Sequence, residues 1–207
     1  LTPIYGETLP RTARRLSELK RPWVLDPVAV GLGEMRSALL KEFKSYNPSI
    51  IRGNASEVIA LASLWEVAAV GQRSKVRGVE TTEEVEEAQE AAVALARQTG
   101  GAVAVSGPVD LITDGRWIVR TSGGSPLFEK ITGAGCSLGG VMALYAIEAS
   151  PLVASLAASA IYNIAGARAE RECDGPGSFQ VRFLDHLYRI TAQEVADYPF
   201  ELHEVER

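Results

Sequence analysis

Four short stretches of the 207-residue chain carry side chains that could do chemistry: 26-DPVAVG-31, 52-RGNASE-57, Ser106-Gly107 and 133-GAGC-136. The last is the most suggestive. Gly133, Ala134 and Gly135 are small enough for backbone to approach a ligand, and they precede the apolar run Leu138 to Ile147. A helix opening there would aim its free N–H groups and the positive end of its dipole at an anion, and a phosphate suits such a site. Close packing of that helix on a sheet would demand the same small residues. Cys136 then has three readings: a nucleophile, a redox thiol, or a group that positions or accepts a proton.

The other three stretches are equally two-sided. Asn54 followed three residues later by Glu57 is a helix-capping arrangement. The same pair could hold a hydrated Mg²⁺, which favours a carboxylate, waters and substrate phosphates. Arg52 is either a surface cation or a charge for nucleotide phosphates. Asp26 is either a carboxylate at a strand end or part of a plain Asp-Pro turn. Elsewhere the chain offers little. His186 and His203 lie far along the chain from all four stretches and read as surface residues, and Cys173 reads as structural. No Ser-His-Asp order, CxxC or His-rich metal spacing occurs.

These residues need elements to hold them. Leu9, Ala13, Leu16 and Leu19 give a helix over 11–20 one apolar face, and Arg21-Pro22 ends it. A strand over 23–26 follows, then a helix over 35–44, a strand over 49–52 and a helix capped by Asn54. A surface loop is expected over 71–78 and an amphipathic helix over 81–98, whose acids read as a solvated face. Residues 102–106 read as a buried strand, and 109–113 with 117–120 as a hairpin turning at Asp114-Gly115. A buried helix over 151–172 and a last helix from Ser178 complete the pattern. Strands alternating with helices predict an α/β domain with a mainly parallel sheet and helices on both faces. Ligands bind such sheets at the carboxyl ends of the strands, where all four stretches fall.

The totals narrow the function classes. A net charge of −5 and a pI near 5.2, with no basic stripe, argue against a nucleic-acid or anionic-membrane partner. The run 138–147 is too short to span a bilayer, and no basic-then-apolar leader opens the chain. The expectation is a single soluble, cytoplasmic domain over 1–207 with Cys136 and Cys173 as free thiols. The chain begins Leu1-Thr2-Pro3 without Met, which reads as entry into a longer chain.

Taken in order, DPVAVG, RGNASE, 105-VSGPVD-110, 114-DG-115, 132-TGAGC-136 and 175-GPGSF-179 resemble the hydroxyethylthiazole kinases of thiamine biosynthesis and salvage, members of the ribokinase-like superfamily. The resemblance runs from about Asp26 to Leu187. Cys136 is its discriminating mark, because most ribokinase-like enzymes carry Asp at that point of the turn. The resemblance implies a ribokinase-like three-layer sandwich that phosphorylates the primary alcohol of 4-methyl-5-(2-hydroxyethyl)thiazole with ATP and Mg²⁺. On that basis Gly133 contacts substrate, the Gly133-Ala134-Gly135 turn stabilises the transferring phosphoryl group, and Cys136 lies by the reacting hydroxyl. Arg52 and Ser106 bind ATP, Ser106 standing where the family commonly has Thr. Asp26 and Glu57 organise Mg²⁺, with Asn54 in support. A homotrimer with sites between subunits is also implied.

Two departures accompany the resemblance. The family's N-terminal segment, which supplies the first strands and much of the thiazole pocket, is not found before Leu1, and the loop over 64–79 looks longer than usual. Three rival readings stand beside it: a ribokinase-like kinase for a hydroxymethylpyrimidine, sugar or nucleoside; an enzyme with a nucleophilic or redox Cys136; and a noncatalytic fragment or binding module.

Overall fold

Ile50-Ile51 and Ala102-Val103-Ala104-Val105 are apolar on both sides of the chain, a pattern that suits a sheet covered on both faces. In the computed structural model, which describes residues 3–67 and 82–205, they are the two central strands β2 (Ile50–Asn54) and β3 (Ala102–Ser106). The short β1 (Val24–Leu25) runs parallel to β2, and β2 runs parallel to β3. From β3 onward the sheet is antiparallel, through β4 (Val109–Thr113) and β5 (Trp117–Ser122) to an edge strand β6 (Glu201–Glu204). The six strands therefore lie in chain order in a mixed sheet.

Alternation along the strands sorts the core into two layers. Ile51, Val103, Val105, Leu111 and Ile118 face one way. They pack on α1 (Pro3–Glu18), α2 (Glu34–Phe43), α3 (Ala55–Leu64) and α4 (Thr82–Thr99). Ile50, Ala104, Ile112 and Val119 face the other way. They pack on α5 (Ala134–Tyr145), α6 (Pro151–Arg171) and α7 (Pro176–Arg189). A strand buried on alternate faces can keep one residue in each layer, which is why no register slip is tolerated. The result is the expected three-layer α/β sandwich. A short helix α8 (Ala192–Ala196) leads into β6.

Among the described residues α6 is the one helix long and apolar enough to cross a membrane by composition. Its apolarity belongs to the core, since it lies between α5 and α7 and against β3 and β4. On the same side Phe128, in a 3-10 turn over Pro126–Lys130, meets the rings of Phe179 and Phe183 edge-on at 5.3 and 5.0 Å. Gly166 makes room for it, because a Cβ there would come within 2.6 Å of the Phe128 ring. This aromatic cluster fixes the loop that walls the cleft described below.

Some elements differ from expectation. His186 is buried on α7, with Nε2 3.0 Å from Glu172 Oε2, and is not a surface residue. It continues the apolar stripe of Phe179 and Phe183 at helical spacing, a signal a lone histidine hides. The helix expected from Ser178 begins at Pro176 and is not the last element, for α8 and β6 follow. No position of β6 is buried, so it carries no alternation to read. The loop expected over 71–78, and most of that over 64–79, lies outside the described residues.

Candidate active site

The parallel pairing sets the site. Leu25 lies opposite Ile51 and Asn54 opposite Ser106, so Asp26, Arg52, Asn54 and Ser106 emerge together at the carboxyl ends of β1, β2 and β3. Arg52 crosses these ends. Its Nη2 donates to Ser106 Oγ at 3.1 Å, and its Nη1 stands 3.6 Å from Asp26 Oδ2. The first turn of α5 passes directly over the guanidinium. A Cβ at Gly135 would lie 2.5 Å from Nη1, so any larger residue there would push the guanidinium from its present position.

Two helices point their N-termini here. In α3, Asn54 Oδ1 accepts from Glu57 N at 2.9 Å, and Glu57 Oε2 accepts from Asn54 N at 3.0 Å. The capping reading of this pair is therefore realised in full, and the other Glu57 oxygen bonds no group among the described residues. In α5, the N-cap is Gly133, held in the left-handed region at φ 91°, and it offers no side-chain cap. The first intrahelical bond runs from Ser137 N to Gly133 O at 2.9 Å. The amides of Ala134, Gly135 and Cys136 precede that bond and have no acceptor within the helix. Ala134 and Gly135 line a cleft of about 700 Å³ together with Arg52, Asn54 and Ser106.

Asp26 and Cys136 lie on the other side of Arg52. Both Asp26 carboxylate oxygens are buried without a hydrogen-bond partner. Burial is the largest influence and pushes the Asp26 carboxyl above its ordinary range, against the pull of Arg52 and with a further push from Glu57. Cys136 is exposed, and its thiol neighbours the Asp26 carboxylate without completing a hydrogen bond to it. Asp26 also borders a second, apolar groove of about 440 Å³ between β1, α1 and α2, where Leu9, Ala13, Leu16 and Leu39 lie.

Orphaned carboxylate oxygens at Asp26 and a free oxygen on Glu57 form a hard donor set of the kind Mg²⁺ takes. Among the described residues no three His, Cys, Asp or Glu side chains form a cage of their own. Magnesium does not require one, since it is commonly held by one or two carboxylates together with water and phosphates. The residues fit that mode.

Three residues of the cleft escaped the sequence reading as site members. Asp110 is buried at the start of the hairpin, its Oδ1 accepting from Gly107 N at 3.2 Å and its Oδ2 from Asn163 Nδ2 at 3.0 Å. Burial raises its pKa in spite of those two bonds. Asn163 also accepts from Gly124 N through its backbone carbonyl at 3.2 Å, which ties the loop after β5 to α6. Tyr162, beside it, lines the same wall. The visible signal was polarity out of place: Asp110 within VSGPVDLIT and Asn163 within the apolar run SAIYNIAG.

A hydroxyethylthiazole kinase of Bifidobacterium longum (strain DJO10A) is 51% identical over 95% of this chain, which spans 68% of that relative's length. One from Cereibacter sphaeroides (strain ATCC 17023) is 41% identical over 93% of this chain and 70% of its own. The solved structure of a hydroxyethylthiazole kinase protein from Pyrococcus horikoshii OT3 superposes with a TM-score of 0.83 at 30% identity, covering all of this chain and 74% of that one. Pyridoxal kinase from Staphylococcus aureus, at 17% identity and a TM-score of 0.58, shares the fold alone. The sandwich is thus ribokinase-like. With the sequence profile of the hydroxyethylthiazole kinase family matching residues 3–193 as well, the chain belongs to the hydroxyethylthiazole kinase family.

Proposed function

We propose that the chain transfers the γ-phosphoryl group of ATP to the primary alcohol of 4-methyl-5-(2-hydroxyethyl)thiazole, a step of thiamine biosynthesis and salvage. The observation that carries this reading is the open N-terminus of α5 set directly over Arg52 at the strand ends. Phosphoryl transfer asks little covalent work of a protein and much positioning and charge stabilisation. Arg52 and Ser106 bind the ATP phosphates from the strand side. The amides of Ala134 and Gly135 meet the oxygens of the transferring group from the helix side. Gly133, whose backbone is unobstructed, contacts the alcohol.

Cys136 stands next to the reacting hydroxyl. Little base strength is needed early in a loose transfer, so the thiol orients the hydroxyl and receives its proton late. Asp26 and Glu57 hold Mg²⁺ directly or through water, and Asn54 keeps Glu57 in place through the cap. Held there with the phosphates, Mg²⁺ would supply neutralisation of charge on the transferring group. Arg52 must yield Asp26 as the phosphates arrive, since the guanidinium now stands over that carboxylate. ATP as donor and free cysteines suit a cytoplasmic setting, and a homotrimer with sites between subunits fits the family reading.

The test is ADP release with a panel of the thiazole alcohol, a hydroxymethylpyrimidine, a sugar and a nucleoside. Turnover is expected with the thiazole alcohol, with product mass increased by one phosphoryl group and Cys136 unmodified. A covalent adduct on Cys136 without ADP release would replace this reading by nucleophilic catalysis. Preference for another alcohol would move the substrate assignment within the fold.

A further inference from the structure

Gly133 has no side chain to fix the turn that it opens. It sits at φ 91° with open space where a Cβ would be, so no side chain of its own steadies the turn, and its carbonyl is held from the helix by Ser137 N at 2.9 Å. Yet the amides that follow it must point into the cleft if they are to meet a phosphoryl group. A further restraint comes from the Ser137 side chain. Its Oγ lies 2.9 Å from Gly133 O and 3.0 Å from Ala134 O. Both carbonyls accept only, so the single hydroxyl proton is committed to them. Tyr162 Oη, 2.9 Å from the same Ser137 Oγ, must therefore be a donor. Tyr162 stands on α6, in the opposite wall of the cleft, with its ring clamped by Phe183 and Phe128 at centroid distances of 5.1 and 6.1 Å.

The chain of bonds runs from a rigid aromatic cluster, through two hydroxyls, to the carbonyls of the open turn. In a trans peptide the carbonyl and the following N–H point in opposite directions. Holding the carbonyls of Gly133 and Ala134 down the helix axis thus turns the amides of Ala134 and Gly135 outward. Both residues line the cleft. We propose that Tyr162 and Ser137 are positioning residues for phosphoryl transfer, which fix the anion-binding turn in its working orientation. Neither needs to touch substrate. The inference rests on the phosphoryl-transfer reading above.

Two measurements test it, on Tyr162→Phe, Ser137→Ala, Ser137→Thr and the double variant Tyr162→Phe/Ser137→Ala. The first is steady-state kinetics. Loss of one neutral hydrogen bond predicts a fall in kcat of about tenfold for Tyr162→Phe, and Ser137→Ala, which removes the hydroxyl at the centre of the relay, should cost at least as much, with KM for the alcohol unchanged. The double variant should fall no further than Ser137→Ala alone, because either change breaks the same relay. Ser137→Thr keeps the hydroxyl and should restore kcat. The second is equilibrium affinity for ADP with aluminium fluoride, a mimic of the in-flight phosphoryl group, compared with ADP alone. The ratio should drop about tenfold in both single variants, whereas a merely structural role would lower Tm and leave the ratio intact. Wild-type kcat and mimic affinity in the variants, or losses that multiply in the double variant, would overturn the inference. Tight mimic binding by a wild type that does not phosphorylate the thiazole would sink the substrate assignment and leave the relay standing. A wild type that gains nothing from aluminium fluoride would remove both.

Discussion

Two helix N-termini look into the same strand-end crevice, and they are finished in opposite ways. That of α3 is closed by its own residues: Asn54 and Glu57 satisfy each other's amides, and a carboxylate is left on the rim. That of α5 is left open: Gly133 supplies no cap and the next three amides have no partner in the helix. The closed end presents negative charge and suits a cation; the open end presents N–H groups and suits an anion. Arg52 lies between them, bonded to Ser106 and facing Asp26. A kinase needs both kinds of end, because a magnesium phosphate is a cation and an anion presented together. Capping by itself does not mark such a site. Thr191 and Glu194 form an equally complete capping box on α8, and neither lines the cleft.

The most severe way to break the contrast is to close the open end. Gly133→Asp places an N-cap carboxylate where the phosphoryl group would sit, in one of the few side chains that tolerate the left-handed region. Turnover is expected to fall by about a thousandfold, the loss typical of removing donors aimed at developing charge. Thermal unfolding should change little by comparison, since the strain costs about 1–2 kcal/mol and the new cap offsets part of it. Turnover within tenfold of wild type would show that the open end is not the anion site. A smaller change, on the other side of that turn, is Cys136→Ala. It is expected to cost about a hundredfold in kcat, while Cys136→Asp retains activity, because a carboxylate can orient the hydroxyl and take a proton and a methyl group cannot. Equal activity in the two variants would leave the thiol without a role.

How much of this contrast could be read from the chain depends on what each end is made of. The closed end is written in local sequence, since Asn-x-x-Glu is satisfied within one helical turn, and 52-RGNASE-57 announced it. The open end was legible as Gly-Ala-Gly before an apolar run. Two things were not. That Gly135 lies against the Arg52 guanidinium depends on residues 83 positions apart, which no local pattern encodes. The Asp110–Asn163 bond and the Tyr162–Ser137 relay likewise join α6 to distant segments, and each residue alone reads as a stray polar side chain in an apolar element. The layers of the sandwich followed from short apolar strands alternating with helices, whereas β6, exposed along its whole length, had no apolar pattern to show. His186 was misread because its stripe on α7 was taken one residue at a time.

The closed end can be altered with less damage. Glu57→Gln keeps a capping side chain and loses the charge, so it should leave Tm nearly unchanged while the Mg²⁺ concentration for half-maximal rate rises about tenfold. Asn54→Ala does the reverse, costing about 1 kcal/mol of stability through the lost cap. If Glu57→Gln lowers Tm as Asn54→Ala does and leaves the Mg²⁺ titration unmoved, Glu57 is a cap and nothing more.

The smallest effect separates the two ends most sensitively, because Asp26 feels both. Burial, with a contribution from the Glu57 charge, holds its carboxyl above the ordinary range despite Arg52. The sign follows from linkage: a carboxyl raised in the folded state binds its proton more tightly there than in the unfolded chain. Its ionised form therefore destabilises the metal-free fold, fully so above the raised value and not at all below the ordinary carboxylate range. Asp26→Asn removes that penalty. The variant should melt higher than wild type at neutral pH, with the gap closing as the pH falls into the ordinary carboxylate range, even though turnover is lost. Glu57→Gln should narrow the same gap, since one of the charges acting on Asp26 is gone. A variant that melts lower than wild type at neutral pH would mean that Arg52 holds Asp26 as a true ion pair in solution. The carboxylate would then be committed to the arginine until nucleotide phosphates draw the guanidinium away, and the cation-facing side of the crevice would exist only in the presence of the anion.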